Sequence, residues 1–343
     1  MRVLLTGAGG FVGHHTLAHL LKTTDWTVVA TDSFRHAGIS ARLREVRDEL
    51  PKEFSQRVKV VTHDLRAPID PITADELGSP NVIINMASES HVDRSLIDPR
   101  PFVENNIALA LTVLEYARSL DDLRCFIQVS TDEVYGPAKP GQYHAEYDEI
   151  IPSNPYSASK AGQEALATAY WRSFGLPMII TNTMNIFGER QDPEKFVPKT
   201  VRALLNNERM TVHARTVEGQ IVSGSRFYLH ARNQADILRF LIDRFSTTPH
   251  RYADGLSRPE RFNVVGDVEV SNDDLVRTIA KIMGVNEDCV DYLDVADSRP
   301  GHDLRYALDG GKLRDLGWTP PVPFIQSLER TVVWTANNPR WVL

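Results

Sequence analysis

The chain contains 343 residues, of which 42% are hydrophobic and 24% are charged, as in an ordinary soluble globular protein. This length allows two domains, or one large α/β unit with a smaller lobe. The formal net charge of -7 argues against nucleic acid as a partner.

The sequence also argues against membrane insertion and secretion. No apolar run approaches the roughly 20 residues of a membrane helix. The first predicted strand begins so close to Met1 that no room remains for a signal peptide. Of the two cysteines, Cys125 falls in a predicted core strand, which fits a buried thiol better than a disulfide. We therefore expect a cytoplasmic protein that binds no membrane.

A glycine-rich turn follows the first predicted strand and precedes a segment with helical periodicity. A strand, a glycine-rich turn and a helix in this order are typical of dinucleotide-binding sites. Gly7 allows the tight turn, Gly10 lets the backbone approach a pyrophosphate, and Gly13 lets the helix pack on the strand. Since the helix N-terminus also attracts phosphate, Phe11 and Val12 join these glycines as predicted cofactor-binding residues. A purely structural turn is the alternative.

The next two predicted strands end at acidic residues that bear on the choice of cofactor. Asp32 follows the strand at 26–31, where a carboxylate is expected to bind ribose hydroxyls and to repel a 2′-phosphate. This favours NAD over NADP, although the nearby Arg35 keeps NADP open. Asp64 and Leu65 follow the third strand, and we expect them to flank the adenine.

Two other features of this region are predicted to be structural. The stretch 39–50 is helical and heavily charged, as in a solvated surface helix. His14 and His15 are adjacent, so they do not share a helix face, and we expect no metal site.

Polar clusters follow two further predicted strands, in the loop at 88–95 and in the stretch 130–136. The carboxyl ends of parallel strands are where ligands bind in open α/β sheets. On an ideal strand Asp132 and Glu133 would point to opposite faces, so they share a pocket only if the chain leaves the strand there. The alternatives are an acidic solvated loop and, for Asp93 and Arg94, simple capping of the helix at 101–119.

Tyr156 and Lys160 lie four residues apart, so they share one helix face. Lys160 and a cationic nicotinamide would stabilise a tyrosinate, which could take a proton from a sugar hydroxyl as hydride leaves for NAD⁺. Thr131 could hydrogen-bond the same oxygen. Asp132 and Glu133 gain a purpose if oxidation at carbon 4 acidifies the proton on carbon 5. Glu133 could then remove that proton while Asp132 protonates the hydroxyl leaving carbon 6, and hydride could return to carbon 6.

Strands and helices alternate through the first half of the chain, which demands a parallel sheet with right-handed crossovers. We therefore predict an α/β fold with a doubly wound, Rossmann sheet. From Gly188 onwards this alternation gives way to prolines, charges and short strands, which indicate a smaller C-terminal α/β substrate lobe. The predicted division is an NAD-binding domain at 1–187 and a substrate lobe mainly at 188–343, with segments of 227–266 returning to the first domain.

Motifs along nearly the whole chain resemble those of extended short-chain dehydrogenases/reductases, and within that group those of nucleotide-sugar 4,6-dehydratases of the dTDP-glucose 4,6-dehydratase type. The glycine motif and the Tyr/Lys pair are shared by the superfamily, whereas the Asp-Glu pair and the run at 299–303 are more specific. The motifs that carry the resemblance lie at 7–13, 87–95, 130–136, 155–160, 193–195 and 299–303.

The resemblance implies roles for particular residues, an NAD that is recycled at each turnover, and a homodimer formed through the helices at 101–119 and 155–174. The implied catalytic residues are Thr131, Asp132, Glu133, Tyr156 and Lys160. The implied cofactor residues beyond the glycine turn are Asp32, Asp64, Leu65, Met86, Ala87, Ser88, Asn105, Tyr156 and Lys160. The implied substrate residues are Ser90, Asn185, Lys195, Arg226, Asn263 and Arg299, of which Arg226 and Arg299 would bind the diphosphate.

Three departures from the family pattern fall on the nucleotide or cofactor side. Ile186 stands where the family usually has a second Asn, a partner of the nicotinamide. The loop within 214–225 is longer, and Arg226-Phe227-Tyr228 replaces Arg-Asp-Trp. The sequence therefore predicts the reaction better than the nucleotide.

The predicted function is NAD-dependent conversion of a dTDP- or UDP-glucose-like sugar to its 4-keto-6-deoxy product. A nucleotide-sugar 4-epimerase or decarboxylase on the same scaffold is the nearest alternative. A non-catalytic NAD-binding protein is the alternative from another class, because a fold alone does not assign an activity.

Overall fold

The computed structural model describes residues 1–35, 38–217, 219–246, 257–294 and 305–343. The strands are β1 (Arg2–Thr6), β2 (Thr27–Asp32), β3 (Val58–Thr62), β4 (Val82–Asn85), β5 (Cys125–Thr131), β6 (Met178–Thr183), β7 (Asn185–Phe187), β8 (Met210–Val217), β9 (Gln220–Ser223), β10 (Ser225–His230), β11 (Glu260–Val264), β12 (Glu269–Ser271) and β13 (Val290–Asp294). The α-helices are α1 (Phe11–Thr23), α2 (Ser40–Glu49), α3 (Lys52–Ser55), α4 (Pro71–Leu77), α5 (Val92–Ile97), α6 (Arg100–Arg118), α7 (Pro155–Phe174), α8 (Phe196–Leu205), α9 (Ala231–Phe245), α10 (Asn272–Met283), α11 (Gly311–Asp315) and α12 (Phe324–Asn337).

The main sheet has seven strands in the order β11-β6-β5-β4-β1-β2-β3, and every neighbouring pair is parallel. The direction of winding reverses between β1 and β4, which opens a crevice at the carboxyl ends of these strands. The predicted doubly wound α/β fold is confirmed.

Alternation of side chains along the buried strands builds a hydrophobic core on each face of the sheet. Leu4 and Leu5 are adjacent in β1 and both are fully buried, but they belong to different clusters. The cluster of Leu5 includes α1, α2 and α9, and the cluster of Leu4 includes α6 and α7. Burying one leucine side chain stabilises the fold by roughly 2 kcal/mol. Because such side chains are buried on both faces, the sheet is held between two layers of helices.

A second region contains two small sheets, ordered β12-β10-β7 and β13-β8-β9, and a third core formed with α8, α10 and α12. Between these elements the chain returns to the main sheet, because β11 pairs in parallel with β6. The longer loop noted in the sequence is an antiparallel hairpin of β8 and β9. No described helix has both the length and the apolar character that a bilayer crossing requires.

The start of α7 is fixed by a reciprocal cap. The Asn154 side chain accepts a hydrogen bond from the Ser157 amide at 2.8 Å, and the Ser157 hydroxyl accepts one from the Asn154 amide. Pro155 occupies the first turn, where its missing N–H costs nothing. These contacts hold the first turn of the helix, and therefore Tyr156, in one orientation.

The prediction that 39–50 is a solvated surface helix is wrong for one face of α2. Arg42 is fully buried and donates hydrogen bonds to the carbonyls of Gly9 and Arg190. Leu43 and Val46 also pack into the core. The many charged residues of this stretch suggest that the whole helix is exposed, but an arginine can be buried when its N–H groups find hydrogen-bond acceptors.

Candidate active site

A cleft of about 680 Å³ opens at the carboxyl ends of the central strands. The main sheet forms one side, and β7 with the segment that follows it forms the other. The predicted residues that line it are Gly7, Gly10, Phe11, Val12, Gly13, Asp32, Asp64, Leu65, Met86, Ala87, Ser88, Ser90, Asn105, Thr131, Asp132, Glu133, Tyr156, Lys160, Asn185 and Lys195. The topology therefore collects residues from distant parts of the sequence into one pocket.

The glycine turn leaves no space for side chains. Gly7 has φ +67°, and a Cβ there would lie 3.0 Å from Ala87 Cα. A Cβ on Gly13 would lie 2.1 Å from the Gly7 carbonyl oxygen, and one on Gly10 would lie 3.0 Å from it. Helix α1 begins after Gly10 with no side-chain cap, so its first amides can bind an anion. This cradle fits the pyrophosphate of a dinucleotide.

The Asp32 carboxylate sits at the end of β2, beside the glycine turn. It accepts hydrogen bonds from the amides of Gly9 and Phe34, each at 2.9 Å. Arg35, which left NADP open in the sequence, forms an ion pair with Asp64 at 2.9 Å, and Arg66 binds the same carboxylate. The guanidinium of Arg35 is therefore neutralised by a carboxylate of the cofactor side, an arrangement that favours NAD.

The chain leaves β5 at Thr131 and enters a 3₁₀ turn, Asp132–Tyr135. This departure from strand geometry lets both Asp132 and Glu133 line the cleft. The Thr131 hydroxyl donates to Asp132 Oδ1 at 3.0 Å and accepts from the Glu133 amide at 3.4 Å. Glu133 Oε2 accepts a hydrogen bond of 2.9 Å from Asn154 Nδ2.

Burial makes both carboxyls weaker acids than usual. It raises the pKa of Asp132 to about 6 and, together with repulsion from Asp132, raises the pKa of Glu133 to about 7. Arg226 opposes both shifts, so its guanidinium acts on this pair. The pKa values of both carboxyls are thus shifted towards neutral pH, which suits the pair to combined acid and base chemistry.

Tyr156 and Lys160 both face the cleft, but the ammonium of Lys160 has other partners. Its Nζ donates to the Val129 carbonyl at 2.8 Å and to Gln163 Oε1 at 2.6 Å. Burial lowers the pKa of Lys160 to about 8. Burial, with added repulsion from Glu133, raises the pKa of Tyr156 well above its usual range, so in the protein alone the phenol is neutral.

A buried hydrogen-bond chain supports Lys160 from behind. Thr6 Oγ1 donates to Asn85, Asn85 Nδ2 donates to Gln128, and Gln128 Nε2 donates to Gln163, over distances of 2.7, 2.9 and 3.3 Å. The amides of Met86 and Ala87 donate back to Thr6 Oγ1. The loop that lines the cofactor side and the lysine are thus held by one network.

Only some of the substrate residues implied by the resemblance line the cleft. Ser90 and Asn185 are exposed in the cleft, and Lys195 Nζ donates to the Ser90 carbonyl at 3.2 Å. Arg226 lies outside the lining residues, with its guanidinium 4.9 Å from the Tyr306 ring centroid.

Asn263 is not brought to the cleft. It is fully buried in β11, where its Nδ2 donates to the His144 carbonyl at 2.8 Å. In the sheet it pairs with Asn182 of β6, and it is not among the residues that line the cleft. Arg299, together with the rest of 299–303, lies outside the described residues.

Several residues that shape the site were missed from the sequence. Asn154 holds Glu133, and its place before Pro155 is a helix-start signal that could have pointed to it. Gln163 holds Lys160, and a buried amide of this kind gives no signal at the sequence level. At the mouth of the cleft, Glu194 binds His91 Nε2 at 3.2 Å and Arg94 Nη2 at 2.9 Å. The motif at 193–195 could have pointed to this bridge, because its charges lie opposite those of 91–94.

The rings of His14 and His15 contact each other, although adjacent residues do not share a helix face. Their rings lie 4.2 Å apart, and burial lowers the pKa of His15 to about 3. His15 Nε2 bonds the Glu189 carbonyl, and His230 Nε2 bonds the Glu189 carboxylate at 3.1 Å. Among the residues described, no cluster of three metal-ligating side chains is found.

A dinucleotide cradle that opens onto a Thr/Tyr/Lys set and a carboxyl pair defines an extended short-chain dehydrogenase/reductase of the nucleotide-sugar dehydratase class. Family comparison agrees, since the family model described as GDP-mannose 4,6 dehydratase matches residues 4–331. The chain belongs to this family.

Relatives are similar over the full length of the chain. The low-salt glycan biosynthesis protein Agl12 of Haloferax volcanii is 36% identical, with 97% of each chain aligned. The dTDP-glucose 4,6-dehydratase of Salmonella typhimurium is 32% identical over all of this chain and 94% of its own. These relatives support the predicted nucleotide-sugar 4,6-dehydratase.

Solved structures give the same result. The dTDP-glucose 4,6-dehydratase DesIV of Streptomyces venezuelae, solved with NAD bound, has a TM-score of 0.83 and 32% identity, covering 99% of this chain and 98% of its own. A UDP-glucuronic acid 4-epimerase of Bacillus cereus also has a TM-score of 0.83, but at 23% identity it supports the fold alone.

Proposed function

We propose that the protein is an NAD-dependent 4,6-dehydratase that converts a nucleoside-diphosphate hexose, of the dTDP- or UDP-glucose kind, to the 4-keto-6-deoxy sugar. One observation carries this proposal. A buried carboxyl pair, Asp132 and Glu133, lies in the same cleft as Thr131 and Tyr156. Oxidation of an alcohol needs only the tyrosine and the lysine, whereas elimination of water also needs an acid and a base.

NAD fits the cofactor side of the cleft. The glycine turn and the N-terminus of α1 would hold its pyrophosphate, and Asp32 its adenosine ribose. Asp64 and Leu65 would flank the adenine, while Met86, Ala87, Ser88 and Asn105 would line the nicotinamide half. Bound NAD would supply the hydride acceptor for the oxidation at carbon 4 and the hydride donor for the reduction at carbon 6.

Tyr156 would take the proton of the carbon 4 hydroxyl. The hydrogen bond with Thr131 favours its charged form, while burial opposes it. The ammonium of Lys160, fixed by Val129 and Gln163, supplies positive charge to this side of the pocket. The tyrosine therefore becomes a base in the assembled site rather than in the protein alone.

The hydrogen bonds of the two carboxyls support different roles. Glu133 accepts from Asn154, which favours a carboxylate and therefore a base for the carbon 5 proton. Among the described residues Asp132 Oδ2 has no hydrogen-bond partner, and burial raises the pKa of this carboxyl, which makes it available as an acid for the carbon 6 hydroxyl. Protonation of Asp132 removes the repulsion that raises the pKa of Glu133, so the acid role of one carboxyl supports the base role of the other.

Ser90, Asn185 and Lys195 would contact the substrate, since all three line the cleft. Arg226, whose charge acts on Asp132 and Glu133, would bind the diphosphate, for which a guanidinium fork is well shaped. The longer loop, now a hairpin of β8 and β9, would meet the base and set the choice of nucleotide.

We also propose a cytoplasmic homodimer formed through α6 and α7. Val103 and Leu111 on α6 are each 43% exposed, and Phe174 at the end of α7 is 49% exposed. Apolar side chains on two adjacent helices suit a second copy of the chain. Both cysteines are free and buried, which suits a reducing compartment.

A screen of nucleoside-diphosphate glucoses tests the reaction. The expected product is 18 mass units lighter than the substrate, as loss of one water requires in a balanced dehydration. Asp132→Asn and Glu133→Gln should each abolish this loss while oxidation at carbon 4 persists. A product that keeps its carbon 6 hydroxyl would indicate an epimerase, and release of carbon dioxide a decarboxylase.

A further inference from the structure

The side chain of Arg42 forms hydrogen bonds with segments on both sides of the cleft. It belongs to α2, on the cofactor side, and is fully buried. Its Nη1 donates to the Gly9 carbonyl at 3.3 Å, inside the glycine turn. Its Nε and Nη2 donate to the Arg190 carbonyl at 3.1 and 2.9 Å, and Nη2 also binds Asp192 Oδ1 at 3.2 Å. One guanidinium therefore fixes two segments that are far apart in sequence.

Both segments belong to the cleft. The amide of Gly9 binds the Asp32 carboxylate, so Arg42 holds the backbone beside the predicted ribose site. On the other side, Gln191 and Asp192 line the cleft, and Gln191 Nε2 donates to the Ile186 carbonyl at 2.8 Å. A displacement of the guanidinium would therefore disturb the cofactor wall and the opposite wall together.

The surroundings of Arg42 leave it little freedom to move. Its guanidinium lies 5.7 Å from the Trp341 ring centroid near the C-terminus. The neighbouring Arg190 adopts φ +63°, binds Glu45 and Glu49 of α2, and lies over the Trp334 ring. A planar fork held by several acceptors and an aromatic ring is rigid, which a lysine cannot reproduce.

We propose that Arg42 is a positioning residue that couples cofactor binding to nucleotide-sugar binding. This inference rests on the proposed function, because it needs both ligands in one cleft. A cofactor bound against the glycine turn would resist displacement of Gly9, and the guanidinium of Arg42 would pass this restraint to the backbone at 190–192, on the wall that faces the sugar nucleotide. Linkage requires the reverse effect as well, so the sugar nucleotide tightens the hold on the cofactor.

The test measures the exchange of bound NAD for its fluorescent etheno analogue in the purified holoenzyme, with and without dTDP and UDP. In the wild type, the nucleoside diphosphate that binds should slow the exchange. In Arg42→Lys, exchange should speed up about tenfold, the scale of a hydrogen bond to a charged group, and its dependence on the diphosphate should disappear. Arg47→Lys, in an exposed ion pair on the same helix, is the matched control and should behave as the wild type.

A purely structural role would lower the melting temperature of Arg42→Lys and leave the dependence on the diphosphate intact, and that result would overturn the proposal. If the lysine variant does not fold, Asp192→Ala removes the side-chain acceptor of Arg42 on the far wall, while the Arg190 carbonyl remains, and this variant should weaken the dependence in part. An unchanged response in that variant would overturn the proposal too. A wild-type chain that holds no NAD would contradict the proposed function itself, and this inference with it.

Discussion

Asn154 Nδ2 donates a hydrogen bond of 2.9 Å to Glu133 Oε2, while Asn154 Oδ1 caps the helix that carries Tyr156. One carboxamide therefore holds the proposed base of the elimination step and the start of the helix that presents the proposed base of the oxidation step. Both nitrogen and oxygen of the amide are used, which fixes its orientation.

Replacing Asn154 should shift the acid limb of the pH profile. The hydrogen bond from Asn154 lowers the pKa of Glu133, so Asn154→Ala should raise it and move the acid limb of kcat/KM to higher pH. Loss of the cap should also reduce the free energy of unfolding by about 1 kcal/mol. Asn154→Ser is the control, since serine still caps the helix but is too short for Glu133. It should recover stability without restoring the profile, and a profile unmoved in both variants would disprove the contact's role.

Asp132→Asn should abolish the dehydration activity but increase the free energy of unfolding above about pH 6. The folded pKa of Asp132, about 6, lies above its ordinary value of 3.8, so its stabilising contribution is present below about pH 4 and is lost as pH rises through 6. The amide avoids this loss, and the variant should gain on the order of 3 kcal/mol at pH 8 and only a small fraction of that at pH 4. Chemical unfolding at the two pH values measures the difference. Equal gains at both would show that burial of the charge is not the cause.

Asp64→Asn should relax the choice of cofactor. Asp64 neutralises Arg35 and Arg66, and its removal leaves two guanidinium groups near the adenosine ribose site. Because Arg35 is partly exposed, we expect a modest change of about fivefold in the NADP-to-NAD affinity ratio, as for a weak surface ion pair. Competition between the two cofactors measures this ratio. In the double variant with Arg35→Ala the gain should vanish, and a gain that survives there would assign the effect to another residue.

Glu194→Gln should open the mouth of the cleft. Glu194 links the 91–94 side to the 192–195 segment through His91 and Arg94. Without its charge, the two rims should part more readily, which raises KM by about threefold for an exposed pair and leaves the chemical step unchanged. Since salt screens such pairs, 0.5 M NaCl should raise the KM of the wild type and have little effect on the variant. An equal response of both proteins to salt would exclude the bridge.

Much of the site could be predicted because its residues follow strand ends. Gly7, Asp32 and Asp132 each come after an apolar run, and a parallel sheet brings such positions to one edge. Strand geometry alone predicts that Asp132 and Glu133 share a pocket only if the chain leaves the strand there, and the 3₁₀ turn after Thr131 provides this departure.

What the sequence could not provide was the pairing of polar groups across long distances. Arg42 looks like a surface residue in a charged helix, and only the folded chain reveals the carbonyl of Arg190 beside it. In the same way, the resemblance implies Asn263 as a ligand contact, but Asn263 is fully buried and donates to the His144 carbonyl. Such pairings depend on tertiary contacts that no local pattern records.

The central claim is that hydrogen removed from carbon 4 returns to carbon 6 of the same sugar while water is lost. Nucleoside-diphosphate glucose labelled with deuterium at carbon 4 tests it most directly. The proposed mechanism predicts a 4-keto-6-deoxy product that carries the deuterium in its carbon 6 methyl group. Deuterium found in the solvent or remaining at carbon 4 would contradict it.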